Sequence, residues 1–264
     1  MTARNLVQYA QTNLFESKPT GCLEIYEKCF SPLMDNEVKL LELGVATGQS
    51  MKMWSDYFVN GTIIGVDLFP KFEPQDGDTK IRIFQGSQTD TAFLDNIAKE
   101  CAPNGFDIIV DDCSHIGELT KISFWHLFTH HLKRGGIYAI EDWGTGYWGG
   151  YRHVYYPDGE FFDSAESEGV LHWLASNIFK SAPVEWRERG LLKEYLKRYQ
   201  FTRRFKGHDY GMVGFVKQLI DELGISEWTG PMGVARPSKL PVPQRQSNFS
   251  HVLYSPGLVI VTKA

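Results

Sequence analysis

The sequence predicts a doubly wound α/β domain, a mostly parallel sheet with helices on both faces. Three observations lead there. Short apolar runs alternate with helical stretches from Lys39 to Ile140. Several of those runs stop on carboxylates or on a glycine turn, as strands do where a site forms at their carboxyl ends. The last two runs, His251–Tyr254 and Leu258–Thr262, flank Ser255-Pro256-Gly257, the turn signal of an antiparallel hairpin.

The elements follow in order. Residues 5–15 and 22–32 read as helices; in the first, Leu6, Tyr9, Ala10 and Leu14 fall at helical spacing. Lys39–Leu43 is a buried strand that runs into a glycine turn, and Met51–Phe58 continues as a helix. Thr62–Val66 is the second strand and stops on Asp67. Ile81–Phe84 is the third, followed by the polar turn Gly86-Ser87-Gln88-Thr89-Asp90. Ala92–Lys99 is helical with Phe93, Leu94 and Ile97 inward. Phe106–Val110 is the fourth strand, Ile116–His130 a helix and Ile137–Ile140 the fifth strand. The stretch 143–248 is too long for a simple crossover. It carries helices at 164–179, 186–200 and 210–223, and an irregular loop over 229–247 marked by Pro231, Pro237, Pro241 and Pro243. The chain therefore reads as one domain over 1–264, with a helical cap at 1–36 and an insertion at 143–248 that covers the strand ends as an acceptor lid.

Composition narrows the function. Hydrophobic residues make up 42%, enough for a substantial core. The formal net charge of −5 disfavours nucleic acid as a partner, since that needs a basic face. The basic cluster Lys197, Arg198, Arg203, Arg204 and Lys206 reads as a solvated helix end. Cys22, Cys29, Cys101 and Cys113 show no paired spacing and read as free thiols of a reducing, cytoplasmic compartment. No leader and no long apolar run point to export or to a membrane. A homo-oligomer is compatible with the sequence.

The chemistry concentrates at the strand ends. The first turn reads Glu42-Leu43-Gly44-Val45-Ala46-Thr47-Gly48, where glycines let the backbone approach a ligand. It lacks both the dinucleotide fingerprint and the Lys-Ser/Thr of a phosphate loop. Asp67 closes the next strand, where an acid can accept from both hydroxyls of a ribose. The fourth strand ends in Asp111-Asp112-Cys113-Ser114-His115, and the fifth in Glu141-Asp142. Each feature has an ordinary structural alternative, the aspartate pair as a helix cap above all. His126, His130 and His131 read as structural. A two-histidine, one-carboxylate iron set is not evident in the spacing.

The Glu42–Gly48 turn with Asp67 and the closing hairpin resembles the class I S-adenosylmethionine-dependent methyltransferases. Leu40–Val45, Met53-Trp54, Phe84–Asp90, Asp111–His115, Glu141-Asp142-Trp143 and Gly146-Tyr147-Trp148 resemble more narrowly the metal-dependent sugar O-methyltransferases of macrolide-type natural-product and polysaccharide biosynthesis. That resemblance implies a seven-stranded sheet with an antiparallel last strand. It implies S-adenosyl-L-methionine lying on Gly44, Ala46 and Gly48, its ribose on Asp67, its adenine beside Gly86, Ser87 and Gln88, and its sulfonium near Asp111. It implies Mg2+, or Mn2+ or Ca2+, on Asp112 and Asp142, with Glu141 a further candidate ligand. His115 would be the general base that takes the proton of a sugar hydroxyl, the sugar being free, in an oligosaccharide or in a glycoside. Tyr147, Trp148 and Tyr151 are the acceptor-side candidates, followed by Tyr155, Tyr156, His153 and His208. Two positions depart from the family pattern. An acidic loop that some relatives insert in the glycine turn is missing at Thr47–Ser50, and Cys113 stands where a glycine is usual. Competing readings are a catechol or small-polyol O-methyltransferase, a cofactor-binding protein without turnover, and a nucleic-acid methyltransferase. The last lacks its Asn/Asp-Pro-Pro-Tyr/Phe element.

Overall fold

The computed structural model describes residues 5–13, 18–147, 211–225 and 245–264. The helices are α1 (Leu6–Thr12), α2 (Thr20–Phe30), α3 (Gln49–Tyr57), α4 (Thr91–Cys101), α5 (Gly117–His130) and α6 (Gly211–Leu223). The strands are β1 (Lys39–Leu43), β2 (Thr62–Asp67), β3 (Ile81–Gln85), β4 (Phe106–Asp111), β5 (Leu132–Glu141), β6 (Phe249–Ser255) and β7 (Leu258–Lys263). Single 3-10 turns lie at Ser31–Leu33 and Trp143–Tyr147.

Among the described residues, seven strands join one sheet in the order β3-β2-β1-β4-β5-β7-β6. The first five are parallel; β7 runs antiparallel to both β5 and β6. This is the doubly wound sheet with a reversed end that the sequence predicts. Strand alternation divides the core into two layers. Leu41, Leu43, Ile109, Tyr138 and Ile140 pack with Phe124, Phe128 and Phe215 of α5 and α6. Leu40, Ile63, Ile108 and Val110 pack with Tyr26, Phe30 and Trp54 of α2 and α3. Burial on both faces explains why β1, β2 and β4 read as continuous apolar runs.

The largest boundary difference is in β5, which starts at Leu132 rather than Ile137. Leu132 pairs with Phe106, the register then shifts, and it resumes at Ile108 and Ile137. Lys133, Arg134, Gly135 and Gly136 break the apolar pattern across that irregularity. The expected helix at 210–223 is α6. Those expected at 164–179 and 186–200 lie outside the described residues, as do Leu14 and most of the 229–247 loop.

Candidate active site

The topological switch lies between β1 and β4, where neighbouring strands continue to opposite sides. Leu43 is in register with Asp111, and Asp111 with Ile140. The carboxyl ends of β1, β4 and β5 therefore bring Glu42, Asp112, Glu141 and Asp142 to one edge of the sheet. They form two groups that share Asp112.

Glu42, Asp112 and Glu141 make the first, with one oxygen from each lying within 4.8 Å of the others. The ammonium of Lys18 sits among them, 2.6 Å from Glu141 Oε1, 2.9 Å from Asp112 Oδ2 and 3.4 Å from Glu42 Oε1. The Lys18 side chain is 0% exposed. Tyr26 donates its hydroxyl to Glu141 Oε1 at 2.7 Å, and Ser50 donates to Glu42 Oε2 at 2.8 Å. Burial alone would lower the Lys18 pKa, but Asp112, Glu141 and Glu42 outweigh it and hold the ammonium well above its usual range. Burial pushes Glu141 up to about 8 against the pull of Lys18, and it raises Glu42 as well. An ammonium thus takes the position among three acids that a cation could otherwise hold.

The second group is Asp112, His115 and Asp142, again with one donor atom each within 4.8 Å of the others. His115 Nε2 lies 3.8 Å from Asp112 Oδ1 and 3.9 Å from Asp142 Oδ2. Asp112 therefore turns Oδ2 to Lys18 and Oδ1 to the histidine. Burial raises Asp142 and the nearby imidazole opposes it. Among the described residues, the non-glycine positions with positive φ are Ala46 at 45°, His115 at 54° and Asp142 at 51°. Such a backbone costs about 1 kcal/mol or more per residue and persists only where its surroundings enforce it. Here the Asp142 amide donates to Gly257 O at 2.7 Å, the Thr145 amide to Asp142 O at 3.0 Å, and Thr145 Oγ1 to His115 O at 3.3 Å. All three strained residues lie at the strand ends.

The glycine turn is built against this edge. A Cβ on Gly44 (φ 92°) would lie 2.0 Å from the Asp112 carbonyl oxygen, so only glycine lets the β1 turn press on the β4 turn. At Gly48 (φ 75°) a Cβ would lie 2.1 Å from the Phe72 ring. Gly48 is the N-cap of α3 and no side chain caps that helix, so the amides of its first turn are open to an anionic group. Asp67 Oδ2 accepts from the Val45 and Ala46 amides at 2.8 and 3.0 Å, and Oδ1 from Phe69 at 2.8 Å. Burial works to raise this carboxyl, and the amides outweigh it and hold it low.

Two expected cofactor contacts turn elsewhere. Asp111 is 1% exposed, and its Oδ2 accepts from Ser123 Oγ at 2.8 Å and Tyr138 OH at 3.1 Å. Gln88, 4% exposed, donates from Nε2 to the same Ser123 hydroxyl at 3.1 Å. Alternation along β4 sends Asp111 into the α5 layer. Its carboxylate joins Gln88 through Ser123 rather than opening on the strand-end edge, and burial pushes it up to about 6. Neither aspartate caps α5, whose N-cap is Ile116. Gly86 lies under the Phe93 ring, and Ser87 Oγ is 2.9 Å from Thr89 Oγ1. Tyr147 ends the 3-10 turn after β5. Trp148, Tyr151, His153, Tyr155, Tyr156 and His208 lie outside the described residues.

Sequence reasoning missed Lys18, Tyr26, Ser123 and Tyr138. Ser123 left a signal, a polar residue on the apolar face of α5, but Lys18 left none.

The sheet order, the reversed β7 and the glycine turn opposite the acidic strand ends define a class I methyltransferase fold. Over that fold, the chain is similar to sugar O-methyltransferases of macrolide and tetracenomycin biosynthesis. It is 39% identical over 211 residues to the mycinamicin VI 2''-O-methyltransferase of Micromonospora griseorubida, covering 77% of this chain and 49% of that protein. It is 37% identical over 173 residues to the L-olivosyl-oleandolide 3-O-methyltransferase of Streptomyces antibioticus, covering 56% and 43%. The crystal structure of the MycE methyltransferase of the mycinamycin pathway, in complex with Mg and SAH, superposes with a TM-score of 0.61 at 26% identity, covering 98% of this chain and 54% of that one. The chain thus spans about half the length of these three proteins. No family model matches it.

Proposed function

We propose that the chain is an S-adenosylmethionine-dependent O-methyltransferase acting on a sugar hydroxyl, with a divalent cation, Mg2+ foremost, at Asp112 and Asp142 and with His115 as general base. One observation carries the reading. Asp112, His115 and Asp142 converge on a strained backbone beside the glycine turn. Mycinamicin and oleandolide sugar methyltransferases among the relatives support the acceptor class, and the Mg- and SAH-containing MycE structure supports the two cofactors.

The residues fit both groups. Carboxylate oxygens suit a hard cation, and such an ion keeps positions for water or an acceptor diol. The open α3 amides and the half-buried Asp67 suit a ligand with a carboxylate at one end and a ribose at the other. Bound, the donor supplies an electrophilic methyl group, and the cation favours the deprotonated hydroxyl. The chain's own residues do the rest. Asp112 and Asp142 fix the direction of approach, and much of the rate comes from that orientation. His115 accepts the hydroxyl proton at Nε2, the nitrogen that faces both carboxylates. Lys18 holds Asp112 Oδ2, so that Oδ1 keeps its aim.

Two outcomes test this reading. A chelator should abolish methyl transfer to a panel of sugars and glycosides, and Mg2+ or Mn2+ should restore it; full activity in chelator would remove the cation. Asp67→Ala should weaken S-adenosylhomocysteine binding roughly ten- to a hundredfold in calorimetry, the worth of about 1.5–3 kcal/mol of charge-assisted hydrogen bonding. Unchanged affinity would separate Asp67 from the cofactor.

A further inference from the structure

A second constellation of metal-ligating side chains lies at the far end of the sheet. His126 Nε2 is 2.8 Å, and His131 Nε2 2.6 Å, from the same oxygen of Asp95, Oδ1. One donor atom from each residue lies within 4.8 Å of the others. Spacing along the chain hid this set, because Asp95 comes from α4 while the histidines come from α5 and its C-cap. The fold makes a two-histidine, one-carboxylate group that the sequence did not suggest. It stands apart from the candidate active site. His131 precedes β5, and its carbonyl accepts from the Phe106 amide that opens β4. The group is therefore near the amino ends of those strands, and the acidic cluster lies at their carboxyl ends, roughly 20 Å away over a six-residue strand.

We infer that Asp95, His126 and His131 form a binding site for a borderline divalent transition-metal ion, with Zn2+ the natural probe. Imidazole nitrogen with one carboxylate oxygen is the donor set that such ions prefer over Mg2+ or Ca2+. The three donors already converge, so little reorganisation is needed. All three residues are half-buried, which leaves the group open to an ion. His130, one helical turn after His126, lies with its ring centroid 5.3 Å from that of His126 and 6.3 Å from that of His131, but its nitrogens stand outside the converging donors, so water completes the coordination. The carboxyl end of α5 favours positive charge; its Phe128 and Thr129 carbonyls already take the Lys263 ammonium. As the group stands, both Nε2 atoms carry hydrogen and donate to Asp95. Metal binding transfers each hydrogen to Nδ1 or, from an imidazolium, to solvent, and the ion replaces two hydrogen bonds by three coordinate bonds. It would then staple α4 to the end of α5 and the start of β5.

The test titrates metal-free protein with Zn2+ by calorimetry and melts it with and without the ion. It compares wild type with H126Q/H131Q, with Asp95→Asn, and with the active-site triple variant D112N/H115N/D142N. The expected result, with the strand-end site removed in the active-site variant or filled by excess Mg2+, is one Zn2+ equivalent that raises the melting temperature; metal-free wild type takes up to one more at Asp112, His115 and Asp142. It should survive in the active-site variant and in excess Mg2+, and weaken by about a hundredfold or more in H126Q/H131Q. Co2+ added to wild type in excess Mg2+, which occupies the strand-end carboxylates, should give the visible bands of a four-coordinate nitrogen and oxygen site, a readout that needs no variant to fold. No Zn2+ binding in wild type, undiminished binding in both H126Q/H131Q and Asp95→Asn, or loss in the active-site variant alone would each overturn the proposal.

Discussion

Replacing Lys18 by methionine is expected to destabilise the protein by about 3–5 kcal/mol, a fall of roughly 10 °C in melting temperature for a chain of this size. The ammonium lies within 3.4 Å of Glu42, Asp112 and Glu141, and methionine keeps the apolar stem while removing the charge. The cost arises because the carboxylates remain. Glu42 and Glu141 are buried, and without the cation they must take up protons or repel one another. Two further outcomes separate this account from lost packing. The double variant K18M/E141Q should recover part of the stability, because neutralising Glu141 removes one of the uncompensated charges. Mg2+ or Mn2+ should stabilise K18M more than wild type, because the emptied position is ringed by carboxylate oxygens. Thermal melts and urea titrations of the variants check all three. Wild-type stability in K18M would mean that the acids never needed the ammonium.

His115→Asn is expected to reduce turnover by about 10²–10⁴-fold, the usual loss when a general base is removed, with cofactor affinity unchanged. Asparagine is the informative replacement. His115 holds φ at 54°, a region that asparagine tolerates far better than alanine, so the backbone keeps its course while the base is lost. Single-turnover methyl transfer against calorimetric binding of S-adenosylhomocysteine reads the two effects separately. A wild-type rate would end the role of His115 as base. A joint loss of rate and binding would point to collapse of the turn that Gly44 presses against.

How much of this was legible before folding depends on the distance over which each signal acts. The strands were legible because burial on both faces leaves an unbroken apolar run, as in Phe106–Val110, and the hairpin because Ser255-Pro256-Gly257 must turn. The start of β5 was not, since its pairing of Leu132 with Phe106 crosses an irregularity filled with polar and glycine residues. The strand-end acids were legible as residues. Their division of labour was not, because it depends on which side chains of distant elements pack on each face. Asp111 goes under α5 to Ser123 and Tyr138, and Asp112 turns toward His115 and Lys18.

The sequence by itself determined the alternating strands and helices, the glycine turn and the closing hairpin, because period and turn chemistry are local properties; the gathering of Asp112, His115 and Asp142 was implied by the family resemblance, and the strand order that places them together belongs to the tertiary structure. The tertiary structure alone decided that Lys18 neutralises the inner carboxylates and that Asp95 meets two histidines. Those partners are separated in sequence by 94 and 123 residues at Lys18 and by 31 and 36 at Asp95. No local pattern records such a pairing; it exists only once the sheet has brought its helices and its N-terminal segment together.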